Sequence, residues 1–281
     1  MYKRLASAIT KKSRERTVTR EIRSKILFFV EGDKTEKIYL SMFKKTIPSS
    51  KNIDIEIFDR WERMSGISNQ HDIVEKTKKY LERCKTITNR QKNKVNELIK
   101  LMENHELTIE DTQTKIRELN TFLGEEILSE KDVLLHQLLS IKTCFDFDEK
   151  IDKICFVLDR DCGSFTPEQY DQVLEICDQC NYDLGLSTPC FEFFLFLHLT
   201  DTEKPSEELL INNKNDYMYN FLRKELREKH KLIFKKNKYD AKFFIEKFEE
   251  FEENIKTYSQ NNIELKNNLG SSLGTILRRL L

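Results

Sequence analysis

The sequence predicts an α/β fold, a small parallel sheet flanked by helices, with a helical hairpin insertion and a helical C-terminal region. Two unbroken apolar runs carry this reading, Ile26–Val30 (ILFFV) and Ile154–Leu158 (ICFVL). Continuous aliphatic, β-branched and aromatic runs without alternation are how strands buried on both faces read. A third observation is the succession 153–158, 167–180 and 182–187, strand then helical period then strand. A β-α-β connection of that length joins adjacent parallel strands. Helices should fill most of the remainder, because 281 residues contain only 7 Gly and 4 Pro.

Taken in order, residues 1–24 form a basic N-terminal arm. Positions 1–25 hold nine Lys and Arg against Glu15 and Glu21, a net +7 with few apolar residues after Ile9. Such an arm either binds phosphate or is a solvated terminus. Residues 25–84 carry the first part of the sheet domain. After the first strand, 34–46 has helical spacing, with Ile38, Met42 and Thr46 or Tyr39 and Phe43 on the buried stripe. Asn52–Asp59 (NIDIEIFD) alternates apolar and acidic residues, as a half-exposed or edge strand does. A helix follows over 71–84.

Residues 85–145 are charged, with one Gly and no Pro in their central stretch. One apolar stripe is Val95, Leu98, Leu101 and Met102; another is Ile109, Ile116, Leu119 and Leu123. The break at 105–108 between them suggests a helical hairpin projecting from the body, for oligomerisation, partner contact or passive elaboration. The sheet domain resumes over 146–200, with Pro167 suited to the first turn of its helix. Thr188–Leu199 (TPCFEFFLFLHL) is apolar all round and reads as a buried helix entered through Thr188-Pro189. In 201–281 the core positions are Phe243, Phe244, Phe248 and Phe251, then Leu273, Ile276, Leu277 and Leu280.

Composition excludes several classes. Lys+Arg and Asp+Glu both total 48, so net charge does not advertise a nucleic-acid binder. The arm lacks a signal peptide's apolar core and no run reaches the length of a membrane span, so no membrane association and a cytoplasmic location are expected. Seven irregularly spaced cysteines argue against a secreted disulfide framework. Cys177 and Cys180 form a CxxC, but in a helical pattern without the turn residues of a zinc knuckle, so idle or buried thiols are the expectation. No P-loop is present, so any dependence on ATP would come from a partner.

The chemistry gathers where the two apolar runs end. The first feeds Glu31, Gly32, Asp33, Lys34, Thr35 and Glu36; the second feeds Asp159, Arg160 and Asp161. Open α/β sheets collect their chemistry at the carboxyl ends of strands. If the two strands are neighbours, Glu31, Asp159 and Asp161 converge, and Mg²⁺ (or Mn²⁺) is the cation that usually joins such carboxylates. The metal would polarise a phosphate, with Glu31 in its shell or acting as general base. Glu192, inside the apolar 188–199 segment, needs either a metal or a salt-bridge partner. Lys34 and Thr35 stand where a helix start could position a phosphate, although Lys34 is equally at home exposed. His198 has the composition of a base, but its apolar face suits a satisfied core histidine as well.

At these residues the chain resembles the RloB-like (AbiLii-type) Toprim proteins. ILFFVEGDKTEKIYL is similar to their opening strand, EGxxTE and aromatic; CFVLDRD to their DxD strand; LSTPCFEFFLFLHL to their SNPxFExWxxxH segment. The resemblance covers about 20–45 and 150–200, with the motifs in family order. It implies a Toprim fold in which Glu31, Asp159 and Asp161 bind Mg²⁺ or Mn²⁺, with Glu36 and Glu192 as further catalytic residues. It also implies a role in abortive infection against phage, beside an AAA- or ABC-type ATPase. Two positions depart: Thr188 replaces the usual Asn, and NNLGSSLG (267–274) lacks the proline of a C-terminal NPST-like pattern, which puts a ligand contact at Ser271 or Ser272 in doubt.

Two functions from different classes follow. One is a metal-dependent nuclease, a toxic effector cleaving DNA or RNA, tRNA included, under control of that ATPase. The other is an inactive adaptor or sensor that keeps the fold and binds the ATPase.

Overall fold

In the computed structural model the described residues are 24–58 except 33, 69–104, 114, 117–118, 138–139, 141–145, 147–200 and 202–281 except 213–215. The basic arm over 1–23 and the second stripe of the insertion (Ile109, Ile116, Leu119 and Leu123) lie outside them.

The sheet is built from β1 (Ser24–Val30), β2 (Ile53–Phe58), β3 (Lys153–Asp159), β4 (Asp183–Thr188) and β5 (Gly270–Ser271). Its order is β2-β1-β3-β4-β5. The first four strands run parallel, and β5 pairs antiparallel to β4. β1 and β3 are therefore direct neighbours, with Val30 opposite Val157. Both are buried along most of their length, which is why neither alternates in sequence. β2 lies at the edge, and its alternation puts Ile53, Ile55 and Ile57 against one core and half-buried Asp54 and Glu56 on the other face, which Phe58 closes by joining the second core.

Helices cover both faces. One face packs Ile26, Phe28, Val30, Ile55, Cys155 and Val157. Against it lie α1 (Thr35–Phe43), α5 (Phe191–Phe196), α7 (Tyr217–Lys229), α8 (Ala241–Ile245), α9 (Phe248–Asn254) and α10 (Leu273–Arg278). Short α6 (Glu207–Asn212) leads into α7. The other face packs Leu27, Phe29, Ile154, Phe156, Leu158, Leu184 and Leu186. Its cover is α2 (Gln70–Lys85), α3 (Asn89–Glu103) and α4 (Pro167–Cys180). The alternation of each strand between the two cores follows from its period of two.

Local signals explain the ends. α1 buries Tyr39, Leu40 and Phe43, so the Tyr39/Phe43 stripe faces the core, and a 3-10 turn over Lys44–Thr46 closes it. α4 starts with Pro167 in its first turn and a capping box between Thr166 and Gln169, and Asn181 closes it in the left-handed conformation. The 188–199 segment is buried throughout, as its composition requires, but its α-helix spans only Phe191–Phe196.

One expectation needs correction. The insertion does not project from its first residue. Val95, Leu98 and Ile99 of α3, with Leu138, Ile141, Cys144 and Phe145 at its return, join the same core as Leu27 and Phe156. Lys92 donates to the Phe145 carbonyl at 3.0 Å, tying the two ends together. An amphipathic stripe says that one face is buried but not against what.

Candidate functional site

Glu31 sits one residue beyond β1, where its N–H donates to the Val157 carbonyl at 3.0 Å and so extends the ladder with β3. Its carboxylate turns across the strand tips. Oε2 accepts from the Asp159 N–H at 3.0 Å, and Oε1 accepts from Gln70 Nε2 at 3.0 Å. The two apolar runs thus deliver Glu31 and Asp159 to one point. Gln70, buried at the start of α2, fixes the orientation of Glu31.

β3 ends at Asp159, and its next two residues diverge. Arg160 turns inward, buried between the Phe165 and Tyr170 rings, and donates to the Lys266 carbonyl (3.1 Å) and the Phe165 carbonyl (2.6 Å). Asp161 is exposed, and its oxygens accept from the Gly163 N–H and the Ser164 hydroxyl, both at 2.9 Å. It therefore anchors the turn into α4 while still lining the cleft.

Glu36, in the first turn of α1, folds its carboxylate back over Gly32: a Cβ at position 32 would overlap it. Only glycine leaves that space, which gives the EG…E spacing a steric reason. Glu192 enters from α5 and, like Glu36, is only 6% exposed. Two adjoining cavities result. One, about 190 Å³, is lined by Glu31, Asp159, Asp161, Cys190, Glu192 and Lys236 among others. The second, about 280 Å³, is lined by Glu31, Gly32, Lys34, Thr35, Glu36, Asp159, Glu192 and Lys236.

Electrostatics mark the cluster. Burial, and then the charges of Glu31, Glu36 and Glu192, push the Asp159 carboxyl well above the usual range. Burial raises Glu36 to about 7, with Glu192 and Glu31 adding to it. Burial and the Glu192 and Asp159 charges raise the Cys190 thiol well above its usual value, so it is not a thiolate nucleophile. These carboxylates repel one another, and Glu36 and Glu192 are buried as well, the condition a hard divalent cation relieves; an all-oxygen donor set fits Mg²⁺ or Mn²⁺. Among the described residues, however, no three His, Cys, Asp or Glu side chains stand together as a ligand group. That statement includes the Cys177/Cys180 pair, of which Cys177 lies in the core.

Of the expected site residues, Glu31, Glu36, Asp159, Asp161, Glu192, Lys34 and Thr35 all border these cavities. His198 does not, so of its two readings, a base at the substrate or a satisfied core histidine, the structure shows the second. It is 0% exposed, with Nε2 3.1 Å from the Tyr39 hydroxyl and Nδ1 3.0 Å from the Phe194 carbonyl, and it is ringed by Phe194, Phe244, Phe248 and Phe251. Burial lowers its pKa to about 3, so it stays neutral and structural. Thr35 does not offer its hydroxyl to the cleft but donates it to the Lys236 carbonyl at 3.1 Å. Ser271 and Ser272 are structural too: Ser271 Oγ donates to the Leu186 carbonyl at 3.0 Å, and Ser272 Oγ accepts from the Leu186 N–H at 2.9 Å.

Sequence reasoning missed Gln70, Asp216, Tyr219 and Lys236, none of which belongs to a motif. The KKNK run at 235–238 was the only local sign of the last.

Residues 26–280 match the profile of the RloB-like protein family. The chain belongs to the RloB-like family. The match spans the sheet, the insertion and the C-terminal helices, so the family covers nearly the whole chain rather than the motifs alone. Neither the curated proteins nor the solved structures contain a match to it. Among the described residues of this RloB-like chain, no helix is long and apolar enough to cross a membrane.

Proposed function

We propose that the cleft at the β1 and β3 tips is a Toprim-type divalent-metal site for phosphodiester hydrolysis. The protein would be a nuclease, the toxic effector of a bacterial anti-phage system, restrained by a partner ATPase. The observation that carries this reading is the convergence of Glu31, Glu36, Asp159 and Glu192 from four separate elements on adjoining cavities, with Asp159 driven up in pKa by burial and then by the other three. Perturbed carboxylates gathered in a cleft are a mark of a functional site, and structural need offers no reason to collect them.

Glu31 and Asp159 would hold the metal, with Asp161 and Glu192 completing its shell. A Mg²⁺ or Mn²⁺ there supplies Lewis-acid polarisation of a phosphoryl oxygen and a bound water of lowered pKa. Gln70 keeps Glu31 aimed across the strand tips. The Glu36 carboxyl, titrating near pH 7, suits proton transfer at neutrality. DNA and RNA both present the phosphodiester that this donor set would take.

The test is Asp159→Asn, which keeps shape and removes charge. Its expected outcome is loss of toxicity on expression and loss of Mn²⁺ heat in calorimetry, with the melting temperature unchanged or raised. Retained toxicity in the folded variant would sink the reading. The adaptor reading gains from one observation, the engagement of both Asp161 oxygens by Gly163 and Ser164. Absence of Mn²⁺ heat in the unaltered protein, together with toxicity indifferent to Asp159→Asn, would favour it. Expression with and without the genomic neighbour, followed by sequencing of cleaved ends, would identify the substrate and the restraint.

A further inference from the structure

The C-terminal region brings a cation, Lys236, to the acidic cleft. Lys236 lines both cavities, and it comes from a tight turn closed by reciprocal backbone bonds between Lys235 and Lys238, at 3.0 and 2.9 Å. The turn is pinned to the motif after β1 by its main chain. The Lys236 carbonyl accepts from Thr35 Oγ1 at 3.1 Å, and the Tyr239 hydroxyl donates to the Thr35 carbonyl at 2.7 Å. The structural duty at position 236 therefore falls on the backbone, whatever the side chain.

The side chain itself is held loosely. It is 52% exposed, its ammonium stands 3.5 Å from Asp216 Oδ1, and it lies 5.4 Å from the Tyr219 ring centre. A charge-assisted bond at full strength is about 2.7–2.9 Å long, so the Asp216 contact can be exchanged for a better acceptor. An acidic cleft also repels a polyanion, and a substrate that brings phosphates needs cations fixed at the rim. Lysine is well suited as a point charge for one phosphate oxygen.

We propose that Lys236 is a phosphate-contacting residue of this cleft, holding a backbone phosphate of a nucleic acid against the carboxylates of Glu31 and Asp159. The proposal rests on the phosphodiester reading above and adds a residue that no motif contains. Lys34, on the wall of the larger cavity, lies on the same approach. The competing role for Lys236 is that of a counter-ion to Glu192 and Asp216.

The full chain carrying Lys236→Ala or Lys236→Arg is titrated with fluorescein-labelled single-stranded DNA and RNA in Ca²⁺, by anisotropy across a KCl series. Mn²⁺ binding is measured in parallel by calorimetry. Lys236→Ala is expected to weaken oligonucleotide binding about tenfold and to reduce the salt slope by about one, while Lys236→Arg keeps the slope. Mn²⁺ binding persists in both. A counter-ion role alone gives tighter Mn²⁺ binding in Lys236→Ala with oligonucleotide affinity and slope unchanged, and that result overturns the proposal. So does an unaltered protein that binds neither oligonucleotide. The metal reading is scored separately, by the Mn²⁺ heat of the unaltered protein and its loss in Asp159→Asn.

Discussion

Gly32 and His198 show how single residues acquire their duties from what lies across from them. The space above Gly32 is filled by the Glu36 carboxylate, so a methyl group there must push that carboxylate out of the cleft. Gly32→Ala should therefore reduce toxicity on expression as much as Glu36→Ala does while Mn²⁺ heat in calorimetry persists, with little change in melting temperature, because the displaced group is the far end of a flexible side chain. His198 is the opposite case, a titratable group with no access to the cleft. It is held neutral with a pKa of about 3, against 6.5 for an unperturbed imidazole. The unfolded chain thus takes up a proton before the fold does. The stability His198 contributes is complete above pH 6.5 and is lost as pH falls toward 3. His198→Phe should be flatter across that window in urea titrations, yet less stable at pH 7 by about 1–3 kcal/mol for the stranded Tyr39 hydroxyl. An equally steep loss in the variant would show that other groups set the acid limit.

Elements are held in register by contacts that short sequences do not advertise. β5 is two residues long, and it stays on β4 through Ser271 and Ser272 and through the close approach of Gly270 to the Ser259 carbonyl. Gly270 has φ +154, where other residues are strained, and a Cβ would overlap that carbonyl oxygen. Gly270→Ala should cost at least about 1–3 kcal/mol by thermal or urea unfolding. Amide exchange should quicken at Ser187, Thr188 and Ser271, and protection unchanged at those amides would count against this role. The strands β1 and β3 were legible because burial on both faces removes polar residues from their middles, and β2 because an edge leaves alternation. β5 left no such mark. The first arm of the insertion was legible as an amphipathic helix, but its partner was not, since Val95, Leu98 and Ile99 meet the sheet only in three dimensions.

At the scale of the whole molecule, the described residues form two cores back to back on one sheet, and the C-terminal region belongs to the first of them. Phe244, Phe248, Phe251, Leu273 and Leu277 pack in the cluster that holds Phe28, Val157 and Phe194. A chain ending at Leu199 would leave that face of the sheet with α1 and α5 as its only described cover, so it should be insoluble or bind a hydrophobic dye far more strongly than the full chain. The full chain should lose its described helices and sheet in one transition by circular dichroism and tryptophan-independent probes alike. Two separated transitions would mean that the C-terminal helices fold apart from the sheet.

The sequence by itself determined the four longer strands, the parallel pairing of β3 with β4, and the acidic residues after β1 and β3, because continuous burial and motif spacing are written in consecutive residues. That β1 and β3 are neighbours came from the structure. The resemblance to the RloB-like family was legible in the same way, from three short motifs, and the family match over 26–280 bears it out. Tertiary structure alone decided which groups attend those tips. Gln70 and Lys236 lie 39 and 205 positions from Glu31 in the chain yet meet it at one cleft, and a pattern local in sequence cannot encode a contact made by the return of a distant turn. It also decided that His198 is core, since a helix face carries the same residues whether it turns to a cavity or to Phe251.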